Sequence, residues 1–71
     1  MNSLYEMGAL VVVYDPWEHK NIICIVMGIA TVEVFEPTDD ILYYGFSISY
    51  NNPYYFFHSD IVGLLEHLYE K

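Results

Sequence analysis

Two long segments of the chain carry no charged side chain. Residues 21–32 and 41–59 contain no Asp, Glu, Lys or Arg, and uncharged apolar runs of this kind are typical of strands that form a hydrophobic core. Between them, residues 33–40 hold four of the ten acidic residues. Pro37 and the Asp39-Asp40 pair are turn residues, so this pattern predicts a hairpin connection with an acidic tip.

Upstream of the acidic turn, two apolar runs are rich in β-branched residues. Residues 9–14 read Ala-Leu-Val-Val-Val-Tyr and end at an Asp-Pro pair, where proline removes a ladder donor, so they predict the first strand. After a loop over residues 15–21, residues 22–27 predict a second strand. We expect Gly28 to bend that strand with a bulge, after which it continues through residues 29–35.

The second uncharged segment shows the two-residue alternation of a strand. Over residues 44–50, one face carries Tyr44, Phe46, Ile48 and Tyr50, and the other carries Gly45, Ser47 and Ser49. Asn51-Asn52-Pro53 predicts a turn, because Asn tolerates a positive φ and Pro stops strand pairing. Residues 54–57 predict the returning strand, and because consecutive strand residues face opposite sides, its four rings cannot all be buried.

The last segment changes to a helical period. Four apolar residues are spaced i, i+3, i+4 and i+7, namely Ile61, Leu64, Leu65 and Leu68, and Ser59 or Asp60 can cap the first turn. We therefore expect a short amphipathic helix over about residues 60–70. It follows a β domain over about residues 7–60, and a chain of 71 residues has room for a single domain only.

The order of these elements is that of a small SH3-like barrel. Three segments carry the likeness: Gly8-Ala9-Leu10-Val11-Val12 at the start, Ile25-Val26-Met27-Gly28-Ile29 at the bend, and Phe57-His58-Ser59-Asp60-Ile61-Val62 at the close. They resemble the short SH3-like proteins of bacteriophage small open reading frames, which open with a Gly-x-Leu-Val strand and close with an aromatic residue and an Asp-Leu or Asp-Ile turn. The resemblance implies a mainly β fold, a five-stranded SH3-like barrel with a short C-terminal α-helix, and a phage origin.

Eukaryotic SH3 domains offer a second comparison. Tyr14-Asp15 and the acidic, Trp-containing loop that follows resemble the start of their peptide-binding loop. The chain departs from that family because Leu42-Tyr43-Tyr44 stands where a Trp opens the third strand, and because no Pro precedes Ser59. A peptide-binding module is therefore one alternative that this resemblance implies.

Charge and chemistry exclude several classes of function. The chain has 2 Lys+Arg against 10 Asp+Glu and a formal net charge of -8, so we expect no direct binding to nucleic acid or to an anionic membrane. The single Cys24 cannot form an internal disulfide and fits a reducing, cytoplasmic compartment, which is the host cytoplasm for a phage protein. Its apolar surroundings should raise the pKa of the thiol. With no catalytic motif and three scattered His, we expect no enzyme, no metal and no cofactor.

Acidic and aromatic side chains are the candidates for binding a partner. The acidic candidates are Asp15, Glu18, Glu33, Glu36, Asp39 and Asp40, and the aromatic candidates are Trp17, Tyr43, Tyr54 and Tyr55. Carboxylates steer a basic partner, and exposed rings anchor it. We therefore expect a non-catalytic acidic interaction module whose partner is another protein with a basic surface, and the hypothesis extends to a phage-type inhibitor of a basic or nucleic-acid-binding host protein.

Other interpretations of the same features stay open. The acidic residues also serve the solubility of a very apolar small protein, and tyrosines at the rim of a sheet are common. A structural or assembly subunit is the main alternative function, because 55% hydrophobic content suits a homo-oligomer formed through edge strands or the C-terminal helix.

Overall fold

The computed structural model describes residues 5–30 and 41–68 of the chain. Within them the strands are β1 (Leu10–Asp15), β2 (Lys20–Ile29), β3 (Leu42–Ser47), β4 (Asn52–Phe57) and β5 (Ile61–Leu64), followed by the helix α1 (Leu65–Leu68). A 3-10 helix, His58–Asp60, joins β4 to β5. The strands form one antiparallel sheet in the order β4-β3-β2-β1-β5. The predicted mainly β fold with a short C-terminal helix is confirmed, and β4 and β5 form the two edges of an open sheet.

One face of the sheet carries the hydrophobic core. Its buried members are Val11 and Val13 on β1, Ile22, Cys24 and Val26 on β2, Tyr43 on β3 and Phe56 on β4. These positions alternate along each strand, as the two-residue period of a strand requires. The uncharged runs predicted as core therefore supply five of its seven buried members, and β1 supplies the other two. Burial of this apolar surface is the main favourable term in the folding of so small a chain.

The predicted bulge lies at the predicted place. The pairing of β2 with β3 shifts register between Val26 and Gly28, so Met27 is the extra residue of the bulge. A Cβ on Gly28 would lie 2.7 Å from Cε1 of Tyr44, which means that this ring lies directly against the glycine. β2 ends at Ile29 in the described residues, and its predicted continuation and the acidic turn lie outside them.

The third strand is shorter than its alternation predicts. β3 ends at Ser47, and residues 48–51 form the turn to β4. At this turn, serine side chains accept hydrogen bonds from backbone amides that strand pairing does not satisfy. Ser47 Oγ accepts from the amide of Tyr50 at 3.0 Å, and Ser49 Oγ accepts from the amide of Ile23 at 2.9 Å. Asn51 has a φ of 58°, so the predicted turn chemistry is present, although β4 already starts at Asn52.

The C-terminal segment differs most from its prediction. Residues expected in the first half of the helix form β5, in which Leu64 pairs with Val11, Gly63 with Val12 and Ile61 with Val13. Pairing with the edge of β1 satisfies backbone groups on both strands, whereas Gly63 would weaken a helix by about 1 kcal/mol. Only Leu65–Leu68 is α-helical among the described residues, and no helix there is long and apolar enough to cross a membrane.

Candidate protein-binding surface

The loop between β1 and β2 is a tight turn built on one carboxylate. Oδ1 of Asp15 accepts hydrogen bonds from the backbone amides of Trp17 at 2.9 Å and Glu18 at 3.4 Å. Oδ2 accepts the hydroxyl of Tyr50, at the far end of the β3–β4 turn. His19 closes the turn with a φ of 53°. Asp15 therefore accepts three hydrogen bonds, and these fix the turn to the body of the sheet.

Asp15 is consequently not a partner-binding residue. It is buried, and both of its oxygens accept hydrogen bonds from groups of its own chain, so the sequence-based assignment to the acidic binding set is wrong at this position. The signal for this role was local, because Asp followed by Pro and Trp is a sequence that forms side-chain-capped turns. Its second partner, Tyr50, lies 35 residues away and had no such signal.

The Asp15–Tyr50 hydrogen bond shifts the pKa values of both side chains. The Tyr50 hydroxyl lowers the pKa of Asp15, aided by the amides of Trp17 and Glu18 and by Lys20, while burial acts in the opposite direction. The same bond, together with burial, raises the pKa of Tyr50. The pair is therefore held as carboxylate and neutral phenol.

Stability should fall at both ends of the pH scale because of this pair. Asp15 stabilises the fold above its unfolded pKa of about 3.9, and this contribution is lost as the pH falls through the lower folded value. Tyr50 stabilises the fold below its unfolded pKa of about 10, and that contribution is lost as the pH rises through the higher folded value. Tyr50→Phe should flatten both slopes in urea unfolding followed by circular dichroism.

Tyr14→Phe is the matched control, since the Tyr14 hydroxyl is exposed and contacts Nδ1 of His19 at 3.3 Å, away from the Asp15–Tyr50 pair. The control should keep the wild-type pH profile. A Tyr50→Phe profile that coincides with the wild type at both ends would contradict the role assigned to the pair.

Trp17 is the most exposed large hydrophobic side chain of the described residues. It is 88% exposed and stands on the turn that Asp15 holds. Glu18 follows it and is also exposed. An exposed indole beside a carboxylate, on a backbone that is already fixed, is a suitable anchor for a partner.

The four predicted aromatic candidates do not form one surface. Tyr43 is 0% exposed, and its ring stacks on Phe56 and His58 at centroid distances of 5.8 and 5.9 Å. Its hydroxyl accepts the amide of Tyr5 at 3.3 Å and contacts Nδ1 of His58 at 3.0 Å. The assignment of Tyr43 to the binding surface is therefore wrong, because this ring is part of the core.

Tyr54 and Tyr55 lie on opposite sides of β4. Tyr54 is half-buried and packs against the core, 6.1 Å from the Tyr50 ring, and burial raises its pKa. Tyr55 is 65% exposed on the other face, 6.5 Å from the ring of Tyr44. The prediction that the rings of the returning strand cannot all be buried is confirmed.

The other acidic candidates cannot be placed on this surface. Glu33, Glu36, Asp39 and Asp40 lie outside the described residues, so the acidic turn stays a prediction. Among the described acidic candidates, Glu18 is the one that is exposed beside an aromatic anchor.

A groove that no sequence pattern indicates lies at the opposite end of β1. It has a volume of about 740 Å³, and its walls include Ala9, Leu10, Leu64 and Leu65 with Glu6 and Glu66 at its rim. The groove joins segments more than fifty positions apart in the chain, which no local pattern relates. Its walls are apolar, and its two carboxylates add to the acidic character of the surface.

The surroundings of Cys24 are those of a buried core residue. Cys24 is a free, buried cysteine, and burial raises the pKa of its thiol to about 11, against the effect of a hydrogen bond with Ser47. The predicted direction of this shift is confirmed. Over residues 5–30 and 41–68, no group of three or more His, Cys, Asp or Glu side chains is arranged to hold a metal ion.

Comparisons of the chain with models of known protein families, with curated proteins and with solved structures found no match.

Proposed function

We propose that the protein is a non-catalytic, acidic interaction module that binds another protein with a basic surface through the Trp17 turn. The observation that carries the proposal is an indole exposed to 88% on a turn whose backbone is bonded to a buried carboxylate. A fixed turn loses little conformational entropy when a partner binds. Tryptophan is also among the residues that most often dominate binding energy.

Electrostatics favours a basic partner. The formal net charge is -8, and Glu18 stands exposed next to the indole. Lys20, which follows the turn, has Nζ 5.3 Å from the centroid of the Tyr50 ring, so its charge is partly engaged within the chain. The acidic excess steers a cationic surface toward the turn, and Trp17 supplies the contact at short range.

The finer fold and the biological role are part of the same proposal. We take the sheet as an SH3-like barrel, supported by the bulge at Gly28, by the 3-10 helix between β4 and β5 and by the pairing of β5 with β1. With this fold, the resemblance to small phage proteins supports a cytoplasmic inhibitor that occupies the basic surface of a host protein.

A peptide-binding module is the second candidate. It is favoured by the position of Tyr50 and Tyr54, whose rings lie 6.1 Å apart next to the turn that Asp15 anchors. Grooves between such rings accept proline-rich peptides. Titration with proline-rich peptides should then change the chemical shifts of Tyr14, Trp17 and Tyr54, and constant shifts at all three would rule this candidate out.

The experiment that tests the main proposal compares two exposed aromatic residues. A partner is captured with tagged protein, identified, purified and titrated against wild type, Trp17→Ala and Tyr55→Ala. Trp17→Ala should weaken binding by at least about tenfold, because it removes the anchor, and Glu18→Gln should reduce the salt dependence. Raising the salt from about 0.05 to about 0.5 M should weaken the wild-type complex.

Tyr55→Ala is the matched control, since it also removes an exposed aromatic ring, but one that lies on β4 and not on the Trp17 turn. It should change affinity by less than about threefold. Equal affinities for wild type and Trp17→Ala, or an affinity that does not depend on salt, would reject the proposal.

A further inference from the structure

The face of the sheet opposite the core is uncharged over three strands. Strand register places its residues in rows: Ile25 is opposite Phe46, which is opposite Pro53; Tyr44 is opposite Tyr55; and Leu42 is opposite Phe57. We call the set Ile25, Tyr44, Phe46, Pro53, Tyr55 and Phe57 the aromatic face. Charged side chains usually occupy the solvent face of an antiparallel sheet, but residues 41–59 contain none.

The helix α1 covers a different part of the same side of the sheet. Leu68 lies over Gly63 of β5, where an added Cβ would be 3.7 Å from its side-chain carbons. Gly63 pairs with Val12, and Val12 is buried. This side of the sheet is therefore covered around Val12 and Gly63, whereas large rings are exposed on β3 and β4.

The exposed rings of β3 and β4 are large and held in place. Tyr55 is 65% exposed, and Tyr44 and Phe57 are each 42% exposed. The Tyr44 ring lies against Gly28, so close that a Cβ there would meet it at 2.7 Å. A ring that packs against a glycine on the neighbouring strand has little freedom left to lose on binding.

The exposed area of these rings fits a weak protein interface. Because an aromatic side chain offers about 200 Å², the three exposed fractions amount to about 300 Å². Leu10, which pairs with Ile25 at the border of the face and is 40% exposed, brings the sum to about 400 Å². That is about half of the area that each partner buries in a standard protein interface. An area of this size fits a weak dimer, whose population depends on the protein concentration.

We propose that the aromatic face is the surface through which two copies of this chain associate, sheet against sheet. A basic partner would bury its cations here without any carboxylate to pair with, which is costly. A second copy brings an equally uncharged face, so a two-fold arrangement leaves no charge desolvated. The two sheets then pack at about 10 Å with their rings between them, and the tyrosine hydroxyls reach the rim.

The like charge of the two copies gives the dimer a distinctive salt dependence. Each chain carries a formal net charge of -8, to which the aromatic-face residues contribute nothing, so two copies repel one another at long range. Salt screens this repulsion and leaves apolar contact unchanged or stronger. Salt therefore strengthens the dimer, whereas it weakens the complex with a basic partner. The Trp17 turn is not part of the aromatic face, so either proposal can fail alone.

The test measures mass against concentration by analytical ultracentrifugation at low and high salt. Wild type should move from 8.3 kDa toward twice that mass as concentration rises, at lower concentrations in high salt. Tyr55→Lys should raise the dissociation constant by at least about tenfold, because it buries an unpaired charge in the interface. Trp17→Lys is the matched control: it makes the same charge change at another exposed aromatic residue and should leave the dimer intact.

Phe57→Lys provides a second variant on the same face, and circular dichroism on every variant checks that the sheet is retained. A wild-type protein that stays monomeric up to about 1 mM in high salt would overturn the proposal. So would a dimer that Tyr55→Lys and Phe57→Lys leave unchanged, or one that salt dissociates.

Discussion

Replacing Tyr43 with alanine should destabilise the fold by about 3 to 5 kcal/mol, whereas the same change at Tyr55 should cost less than about 1 kcal/mol. Tyr43 is fully buried, stacks on two neighbouring rings and bonds to Tyr5 and His58. Truncation removes the buried ring, leaves a cavity and withdraws a hydrogen-bond partner from each of those residues. Tyr55 loses only contacts on an open face.

Urea unfolding followed by circular dichroism, at a concentration where the protein is monomeric, measures both changes. A domain of this size has a total stability of about 4 to 11 kcal/mol, so Tyr43→Ala should be largely unfolded in mild denaturant or in buffer. Tyr55→Ala serves as the matched control because both residues are tyrosines on neighbouring strands. Similar losses for the two variants would show that Tyr43 is not the centre of the core described above.

Gly45→Ala should be the most damaging single-methyl change in the described part of the chain, with an expected cost of about 3 kcal/mol or more. A Cβ at Gly45 would lie 2.1 Å from the carbonyl oxygen of Ile25 and 3.1 Å from Cε1 of Phe56. The first neighbour is backbone of the adjacent strand, so it cannot rotate away. Relief requires β2 and β3 to separate, which breaks ladder hydrogen bonds.

Gly63→Ala is the control for the Gly45 prediction. The three atoms nearest to a Cβ there belong to Leu68, at the ordinary contact distances of 3.7 to 3.8 Å, and alanine in a strand is favoured over glycine by about 0.5 to 1 kcal/mol. The control should therefore unfold at the same or a higher urea concentration. A Gly45→Ala protein as stable as the wild type would mean that β2 and β3 do not approach as closely as described.

The two proposed surfaces use different forces. The Trp17 turn places an exposed ring beside a carboxylate, and its proposed occupant is a basic partner. The aromatic face has no charge, and its proposed occupant is a second copy. Salt acts in opposite directions on the two associations, so one series of measurements separates them.

Local signals were sufficient to predict most of the strands. The β-branched run before Pro16 forms β1, the run before Gly28 forms most of β2, and the bulge lies at that glycine. These features depend on neighbouring residues only: side-chain branching, a two-residue period, and a glycine that permits the extra residue. The exposed position of Trp17 in a loop after an Asp-Pro pair follows from the same kind of signal.

Alternation along β3 predicts which residues share a face, but it does not say which face is covered. The aromatic side chains of Tyr44 and Phe46 would suit a core, yet the buried side carries Tyr43, Gly45 and Ser47. The reason lies in neighbouring strands, because the Ile25 carbonyl and the Phe56 ring leave no room for a side chain at Gly45. The size and polarity of the side chains along β3 contain no information about the space that neighbouring strands leave beside Gly45.

Contacts between distant segments account for the remaining differences. The helical spacing of residues 61–68 is real, but the free edge of β1 converts its first half into β5, because ladder pairing satisfies backbone groups that a helix containing Gly63 would hold less well. Asp15 is part of the fold and not of the binding surface, since Tyr50, far along the chain, donates to it. Composition and spacing are properties of a segment, whereas pairing and burial belong to the assembled sheet.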